Sequence, residues 1–187
     1  SWVTSDLHLG HTNIVGPKVS RWKNGYCNFE SVEEMDNTII DNINKFVDRD
    51  DELFILGDFS YRGKLTPKHY RDRINCDRVY LVYGNHDKEI RKKWHHLFNW
   101  CKDYFEFNYY DTKIVMCHYA FGVWNKSHHG SINLFGHSHG NYKNVNGRQM
   151  DVGVDTNNFC PYNLDEIVKE LQKINVHVVD HHNDRVD

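Results

Sequence analysis

The sequence of 187 residues has little proline and no long hydrophobic run. Only 3 prolines accompany 5 tryptophans, 11 tyrosines and 10 phenylalanines, a composition typical of a packed chain and not of a disordered one. No apolar stretch approaches the roughly 20 residues that cross a membrane, so we expect no association with a membrane. The length suits one hydrophobic core, and we predict a single domain over residues 1–187.

The sequence also lacks closely spaced cysteines and an excess of positive charge. The five cysteines are widely spaced and contain no C-x-x-C pair, which argues against a structural zinc site and a secreted disulfide framework. Buried free thiols in a reducing compartment are therefore expected, and the cytoplasm is the predicted location. The formal net charge is −3 with both signs interspersed, which argues against a domain that binds nucleic acid by charge alone.

Short apolar runs alternate with helical patterns, which favours an α/β fold. Strands are predicted at 2–5, 53–56, 79–82, 114–117, 132–135, 150–154 and 176–179. One helix is predicted to begin at the capping box of Ser31 and Glu34, with an apolar stripe that extends to Val47. A second is predicted to begin at Asn163 and to bury residues as far as Ile174, and apolar spacing over 90–98 predicts a third.

Polar residues fall at or just past the carboxyl ends of four predicted strands. They are Asp6, Asp58, Asn85 and His118. Because this edge of an α/β sheet is where ligands bind, side chains distant in sequence are expected to converge there.

Histidine is the residue in excess, with 14 copies where an even share would give about nine. Five segments combine it with acidic and amide residues: Asp6-Leu7-His8, Gly57-Asp58, Gly84-Asn85-His86-Asp87, His118, and Gly136-His137-Ser138-His139. Mixed imidazole and carboxylate ligands suit manganese, iron, zinc or nickel better than calcium or magnesium. Seven candidate ligands exceed the need of one ion and fit two ions about 3.5–4 Å apart that share a carboxylate. Glycines before Asp58, Asn85 and His137 are expected to permit tight turns.

These segments match, in order, the D-x-H, G-D, G-N-H-[D/E], H and G-H-x-H blocks of the calcineurin-like metallophosphoesterases, and the sequence resembles that family. The resemblance implies a two-sheet α/β sandwich flanked by helices and a metal-dependent phosphoric ester hydrolase. The longer first block, which continues from His8 through His11 to Asn13, and the segment 152–158 resemble small single-domain phosphoesterases of bacteria and phages.

The same resemblance assigns roles to the residues of the blocks. It implies two sets of three metal ligands, one made of Asp6, His8 and His139 and the other of Asn85, His118 and His137. Asp58 would bridge both ions, and a hydroxide between the ions would attack phosphorus. His86 would protonate the leaving oxygen, and Asp87 would orient His86.

Two further residues, Arg62 and His11, are candidates for contact with substrate. Arg62 lies in a G-D-F-S-Y-R-G stretch that looks like the G-D-x-x-D-R-G of protein Ser/Thr phosphatases, where the arginine binds phosphate. Tyr61 replaces the second aspartate of that block; it also matches the metal-binding tyrosine of purple acid phosphatases, but we interpret it as a packing residue. His11 would contact phosphate or donate a second proton, with a loop histidine bonded to backbone as the alternative. His128 and His129 are candidates for the rim of the site or for the surface.

These observations predict a dinuclear phosphoesterase acting on phosphodiesters or phosphomonoesters of a nucleotide-like substrate. Two divalent ions are expected, with manganese preferred and iron, zinc or nickel as alternatives. Trp22, Trp124 and Tyr119 are candidates for stacking a base or sugar. The alternatives are a nuclease that cleaves DNA or RNA with the same metals, for which a short nucleic acid would be the partner, and a non-catalytic interaction scaffold. The sequence does not fix the oligomeric state.

Overall fold

The computed structural model describes residues 1–19, 24–143 and 147–184. Within these ranges lie the strands β1 (Trp2–Thr4), β2 (Glu52–Ile55), β3 (Arg78–Val82), β4 (Trp100–Lys102), β5 (Tyr104–Tyr109), β6 (Thr112–Cys117), β7 (Ile132–Phe135), β8 (Gln149–Asp151) and β9 (Tyr162–Asn163). The α-helices are α1 (Val32–Phe46), α2 (Pro67–Asp72) and α3 (Leu164–Leu171).

The strands form two sheets. The first has the order β4-β3-β2-β1-β9, in which β1 to β4 run parallel and only β9 is antiparallel. The second has the order β5-β6-β7-β8, in which β5 and β6 form an antiparallel pair and β6, β7 and β8 run parallel. This arrangement confirms the predicted two-sheet α/β fold flanked by helices.

Alternation along β2 places apolar side chains on both faces of the first sheet. Phe54 faces the second sheet and packs in a cluster with residues of β6 and β7, such as Met116 and Leu134. Leu53 and Ile55 face the other way, into a cluster that contains the buried side of α1. Because both faces of this sheet are covered, its strands are nearly continuous apolar runs, as expected for buried parallel strands.

The predicted helix starts are confirmed at both capped positions. The Ser31 hydroxyl accepts a hydrogen bond from the Glu34 N–H at the start of α1, and the Asn163 side chain caps α3 in the same way. The carboxylate of Glu34 reaches back to the N–H of Glu30 and not to that of Ser31, so the box is shifted by one residue.

Several predicted elements differ from the structure. No strand forms at 176–179, where Val176 and Val179 are largely exposed and have no neighbouring strand. The third helix is a π-helix over Ile90–Trp94 followed by a 3-10 turn, and α3 ends at Leu171, which leaves Ile174 exposed. Strands β4, β5 and β9 and helix α2 were not predicted. Of the five cysteines, all free, only Cys76 and Cys117 are buried. No helix among the described residues is long and apolar enough to cross a membrane.

Candidate metal centre

Five strands deliver the predicted ligands to one edge of the two sheets. Asp6, Asp58 and Asn85 follow β1, β2 and β3 within three residues, and His118 and His137 follow β6 and β7 in the same way. The predicted position of polar residues at strand ends is therefore confirmed. The turn after β7 also meets the turn after β1, because the His137 N–H donates to Asp6 Oδ2 at 2.9 Å.

Asp58 lies at the middle of this group. Its Oδ1 accepts the His86 N–H at 2.8 Å, which fixes the carboxylate. Its Oδ2 lies 3.7 Å from His8 Nε2 and 3.6 Å from His118 Nε2. The side chain is 2% exposed. One carboxylate oxygen thus faces an imidazole from each of the two predicted ligand sets.

The first predicted set lies on one side of Asp58. Asp6, His8 and His139 each place one donor atom within 4.8 Å of the others. Asp6 Oδ1 is 3.8 Å from His8 Nε2, is buried, and accepts no hydrogen bond from the described residues. A buried carboxylate oxygen with no donor is costly unless a cation satisfies it, and the two imidazoles beside it fit a divalent transition metal.

The second set lies on the other side of Asp58. Here His118 and His137 form a donor group with Asp58 within 4.8 Å. The amide oxygen of Asn85 lies 3.0 Å from His118 Nε2, so it points to the same space. His118 is fully buried, whereas His137 is exposed and closes the group on the solvent side.

The ring nitrogens that face away from the centre are held by hydrogen bonds. His118 Nδ1 lies 2.7 Å from the carbonyl oxygen of Leu56, and His139 Nδ1 lies 3.0 Å from Asp155 Oδ2. Such contacts fix the tautomer and orientation of an imidazole and direct its other nitrogen to a metal. Asp155 was missed by sequence reasoning, although it lies in the segment 152–158 that was singled out as a family feature.

Tyr26 was also missed, because no spacing links it to the five blocks. Its ring is fully buried, and its hydroxyl donates to the backbone carbonyl of Asp6. The ring lies edge-on to His8 and to His139, with centroids 6.0 and 5.8 Å away. Tyr26 therefore packs under the first ligand set and holds the turn after β1.

The backbone of the candidate ligands is unusual. Asp6, His8, Asp58, His137 and His139 all have φ between 47° and 66°, in the left-handed region that residues other than glycine rarely adopt. Such conformations persist where the surrounding structure over-determines them, and they concentrate at functional sites.

The glycines that precede the predicted ligands act in two ways. Gly57 has a φ of 96°, which agrees with the predicted tight turn, whereas Gly84 and Gly136 are needed for space. A Cβ on Gly136 would lie 1.9 Å from Ser5 Oγ and 2.4 Å from Asp6 Oδ2, and one on Gly84 would lie 2.2 Å from Asp58 Oδ1. Neither residue has a positive φ. These glycines are required because the carboxylates of the centre occupy the space of a side chain.

The Asp87 carboxylate is bonded to the backbone, and its predicted role of orienting His86 stays a prediction. Its buried carboxylate accepts hydrogen bonds from the backbone N–H groups of Asp58, Phe59 and Gly84, at 2.8–3.0 Å. It therefore joins the turns after β2 and β3. The imidazole of His86 is instead packed against the ring of Tyr61, with centroids 4.1 Å apart.

The pKa values of the buried candidate ligands reflect how closely these groups are packed. Burial raises the pKa of Asp6 to about 8, and burial lowers the pKa of His8 well below its usual value. Burial also lowers the pKa of His118. The lowered pKa values keep the imidazoles neutral, which is the form that binds a metal. A bound cation would favour the charged form of Asp6 that burial disfavours.

His11, Tyr61 and Arg62 occupy different places. His11 is buried and its Nδ1 lies 3.2 Å from His8 Nδ1, so it contacts a predicted ligand. Tyr61 packs between His11 and His86, which agrees with a packing residue. The exposed Arg62 guanidinium lies 5.1 Å from the centre of the Tyr61 ring.

A cavity of about 540 Å³ adjoins the centre beyond His86. Its lining includes the side chains of Arg62, Lys64 and Lys88, with Glu89 as the one acidic residue. His128 and His129 do not line this cavity; they form a 3-10 turn beside the C-terminal segment.

The aromatic residues predicted to stack a base or sugar also lie in different environments. The Trp124 indole is buried and donates to the carbonyl of Ser131, as a core residue does. Tyr119 is 47% exposed and its ring lies 4.9 Å from that of His137. Trp22 lies outside the described residues.

Comparison with known proteins agrees with this geometry. The sequence matches the family described as calcineurin-like phosphoesterase over residues 1–185. It is 30% identical over 182 residues to the uncharacterized protein MJ1445 of Methanocaldococcus jannaschii, an alignment that covers 92% of this chain and 91% of that one.

One solved structure shows the same fold, and a second aligns over a large part of the chain. A protein of unknown function from Aquifex aeolicus, AQ665, superposes with a TM-score of 0.66 at 22% identity, over 90% of this chain and 97% of that one. Yfce, a phosphoesterase from E. coli, superposes with a TM-score of 0.48 at 17% identity, over 81% and 76% of the two chains. By its match to the family along almost its whole length, this chain belongs to the calcineurin-like phosphoesterases and is a metal-dependent phosphoric ester hydrolase.

Proposed function

We propose that the protein hydrolyses phosphodiester or phosphomonoester bonds of a nucleotide-like substrate at a dinuclear metal centre. The observation that carries this proposal is the meeting of two donor groups at Asp58 Oδ2, within 3.7 Å of imidazoles from both groups. One ion would be held by Asp6, His8 and His139, and the other by Asn85, His118 and His137, with Asp58 shared. Manganese is the proposed metal, and iron, zinc or nickel suit the same donors.

His86 is the proposed proton donor to the leaving oxygen. When bound, two divalent ions act as Lewis acids that lower the pKa of water and neutralise charge on the phosphoryl oxygens. His86 Nε2 lies 3.9 Å from Asp58 Oδ2 and its side chain is 26% exposed, so the imidazole reaches both the centre and the solvent. Contact with Tyr61 restricts the ring to this position.

The cavity beyond His86 indicates the chemistry of the substrate. Because it adjoins the proposed proton donor, it would receive the leaving group. Three cationic side chains against one acidic residue favour a leaving group with a further negative charge, such as part of a nucleotide. Arg62 would bind a phosphate oxygen there, and the exposed ring of Tyr119, on the His137 side, would offer a face to a base.

The function is tested with protein freed of metal by chelation. Addition of Mn²⁺ is expected to restore hydrolysis of an aryl phosphodiester or an aryl phosphomonoester. Asp58→Asn is expected to abolish the restored activity, and His69→Ala, on the exposed face of α2, is expected to leave it unchanged. If no divalent metal restores turnover, the proposal is wrong.

The role of His86 is tested by comparing substrates whose leaving groups differ in their need for a proton. A nitrophenolate leaves without a proton, whereas an alkoxide needs one. His86→Ala is therefore expected to lower kcat on an alkyl diester about 10²–10⁴-fold and to affect a nitrophenyl ester much less. Equal losses on both substrates would exclude His86 as the proton donor.

Cleavage of DNA or RNA is the second candidate, and the same three cations favour it. Incubation with single- and double-stranded oligonucleotides at physiological salt separates the two functions. Cleavage of oligonucleotides with rates above those on mononucleotide esters would favour the nuclease. Fewer than two ions per chain at saturation, together with no turnover, would favour a scaffold.

A further inference from the structure

A second cluster of metal-binding side chains lies outside the centre described above. His128, Asp180 and His182 each offer one donor atom, and the three atoms lie within 4.8 Å of one another. None of the three is a predicted ligand of the first centre. We propose that this cluster is a separate site for a borderline transition-metal ion such as Zn²⁺, which would fasten the C-terminal segment to the Ser127–His129 turn.

The cluster is partly shielded from solvent, and its side chains already contact one another. His182 Nδ1 lies 2.8 Å from Asp180 Oδ1, and the His182 N–H donates to the same oxygen at 3.1 Å. The side chains of His182 and Asp180 are 19% and 22% exposed. The rings of His128 and His182 are stacked with centroids 3.6 Å apart and planes 10° apart.

The turn that carries His128 is fixed independently of the cluster. Lys126 and Gly130, on either side of it, both have positive φ, and the Gly130 N–H donates to the Ser127 carbonyl at 3.0 Å. Arg148 donates to the carbonyl of Gly130 and also to the carbonyl of Ile174, so it joins the turn to the segment that follows α3. The two parts of the site are therefore held near each other by contacts that need no metal.

The donor set selects the class of ion. Two imidazoles and one carboxylate suit zinc, nickel or copper, whereas calcium and magnesium require oxygen ligands. Donors bound at about 2.1 Å to one ion lie about 3–4 Å apart, so small side-chain rotations bring these three atoms to the required spacing. An ion lies in the plane of each imidazole that it binds, so binding would open the 10° stack into a splayed pair.

The site is tested by zinc stoichiometry. Untagged, metal-free protein is dialysed against buffered Zn²⁺ and analysed for metal. The His128→Ala/His182→Ala double variant is expected to bind one Zn²⁺ per chain fewer than the wild type, and His69→Ala is expected to bind as much as the wild type. Equal zinc content in the wild type and the double variant would overturn the proposal. This difference does not depend on how many ions the first centre binds, nor on its activity.

A second measurement tests the fastening of the C-terminal segment. Amide hydrogen exchange in residues 177–182 is expected to slow when Zn²⁺ is added to the wild type, and not in Asp180→Asn, a substitution at a partly exposed position. Circular dichroism verifies that both variants are folded, and turnover with Mn²⁺ is expected to stay at the wild-type value. Zinc-independent exchange in the wild type would refute the fastening role.

Discussion

The Nδ1 atoms of His8 and His11 lie 3.2 Å apart in a buried contact. A hydrogen bond between two facing ring nitrogens needs the proton on one of them, so the tautomers of the two imidazoles are coupled. The Nε2 atom of His8 faces Asp6 and Asp58. His11 thus contacts a proposed metal ligand directly, a contact that the sequence did not reveal.

His11→Ala is expected to weaken Mn²⁺ affinity about 10–100-fold, because outer partners of metal-binding histidines contribute that much. Titration of metal-free protein with Mn²⁺ measures it, with Tyr61→Phe as the control that keeps the neighbouring ring. At saturating Mn²⁺ most of the turnover is expected to return. Unchanged affinity with a large loss of kcat would instead assign His11 to the substrate or to proton transfer.

Gly136→Ala is expected to lower kcat/KM about 100-fold or more, because the added methyl group would displace the Asp6 carboxylate and misplace a reacting group. Gly122→Ala is the matched control: no atom lies within 4 Å of the position of its added Cβ, counting the described residues. Kinetics with Mn²⁺ and the metal content of both variants check the prediction. Equal activity of the two variants would contradict it.

Asp87→Asn is expected to lower the free energy of unfolding by about 2 kcal/mol, since an amide cannot accept all three backbone hydrogen bonds and leaves a buried N–H unsatisfied. Urea denaturation measures the change. Asp103→Asn, which removes an exposed ion pair with Arg91, is expected to cost less than about 1 kcal/mol. A variant that keeps full stability but loses turnover would restore the predicted role of orienting His86.

Asp36 gives a pH dependence that does not involve the metal ligands directly. Burial raises the pKa of this α1 carboxyl from 3.8 to about 6, against the opposing hydrogen bond from the Gly10 N–H. A raised carboxyl pKa means that the folded state holds the proton more tightly. The stability that this proton contributes is therefore complete below about pH 4 and is lost as pH rises through about 6.

Asp36→Asn keeps an acceptor for Gly10 and removes the titration. The free energy of unfolding of the wild type, relative to this variant, is expected to fall on the order of 1 kcal/mol from about pH 5 to about pH 8. Urea denaturation of metal-free protein at both values measures the difference. A difference that is constant with pH would show that Asp36 keeps an ordinary pKa.

Much of the candidate site was predictable because its residues follow the carboxyl ends of strands. Parallel strands bring their carboxyl ends to one edge, so Asp6, Asp58 and Asn85 converge whatever their separation in sequence. The orientation of each ring was not predictable, because Leu56, Asp155 and His11 supply it through contacts that no local pattern encodes. The backbone hydrogen bonds of Asp87 were not predictable for a related reason: adjacency to His86 in sequence does not place its carboxylate beside the imidazole.

The predicted strands were wrong where the sequence pattern and the surroundings of the segment in the fold disagree. The residues at 176–179 have the β-branched content of a strand, but β propensity has little effect without a partner strand. Strand β5 was missed although its sequence carries a signal. Phe105, Phe107 and Tyr109 alternate with Glu106 and Asn108 and pack against the core, which is the period of a strand with one buried face. The strand pairs along its length with β6 at the edge of its sheet.

The hydrogen bond from His137 to Asp6 joins residues 131 positions apart. Closing so long a loop has an entropic cost that must be met before the contact forms. During synthesis the amino-terminal strand leaves the ribosome well before the turn at Gly136, so the two halves of the proposed centre cannot meet until the chain has emerged past His139. Metal capture at the proposed centre would therefore come late in biogenesis, and truncation before His139 would yield a chain without the complete site.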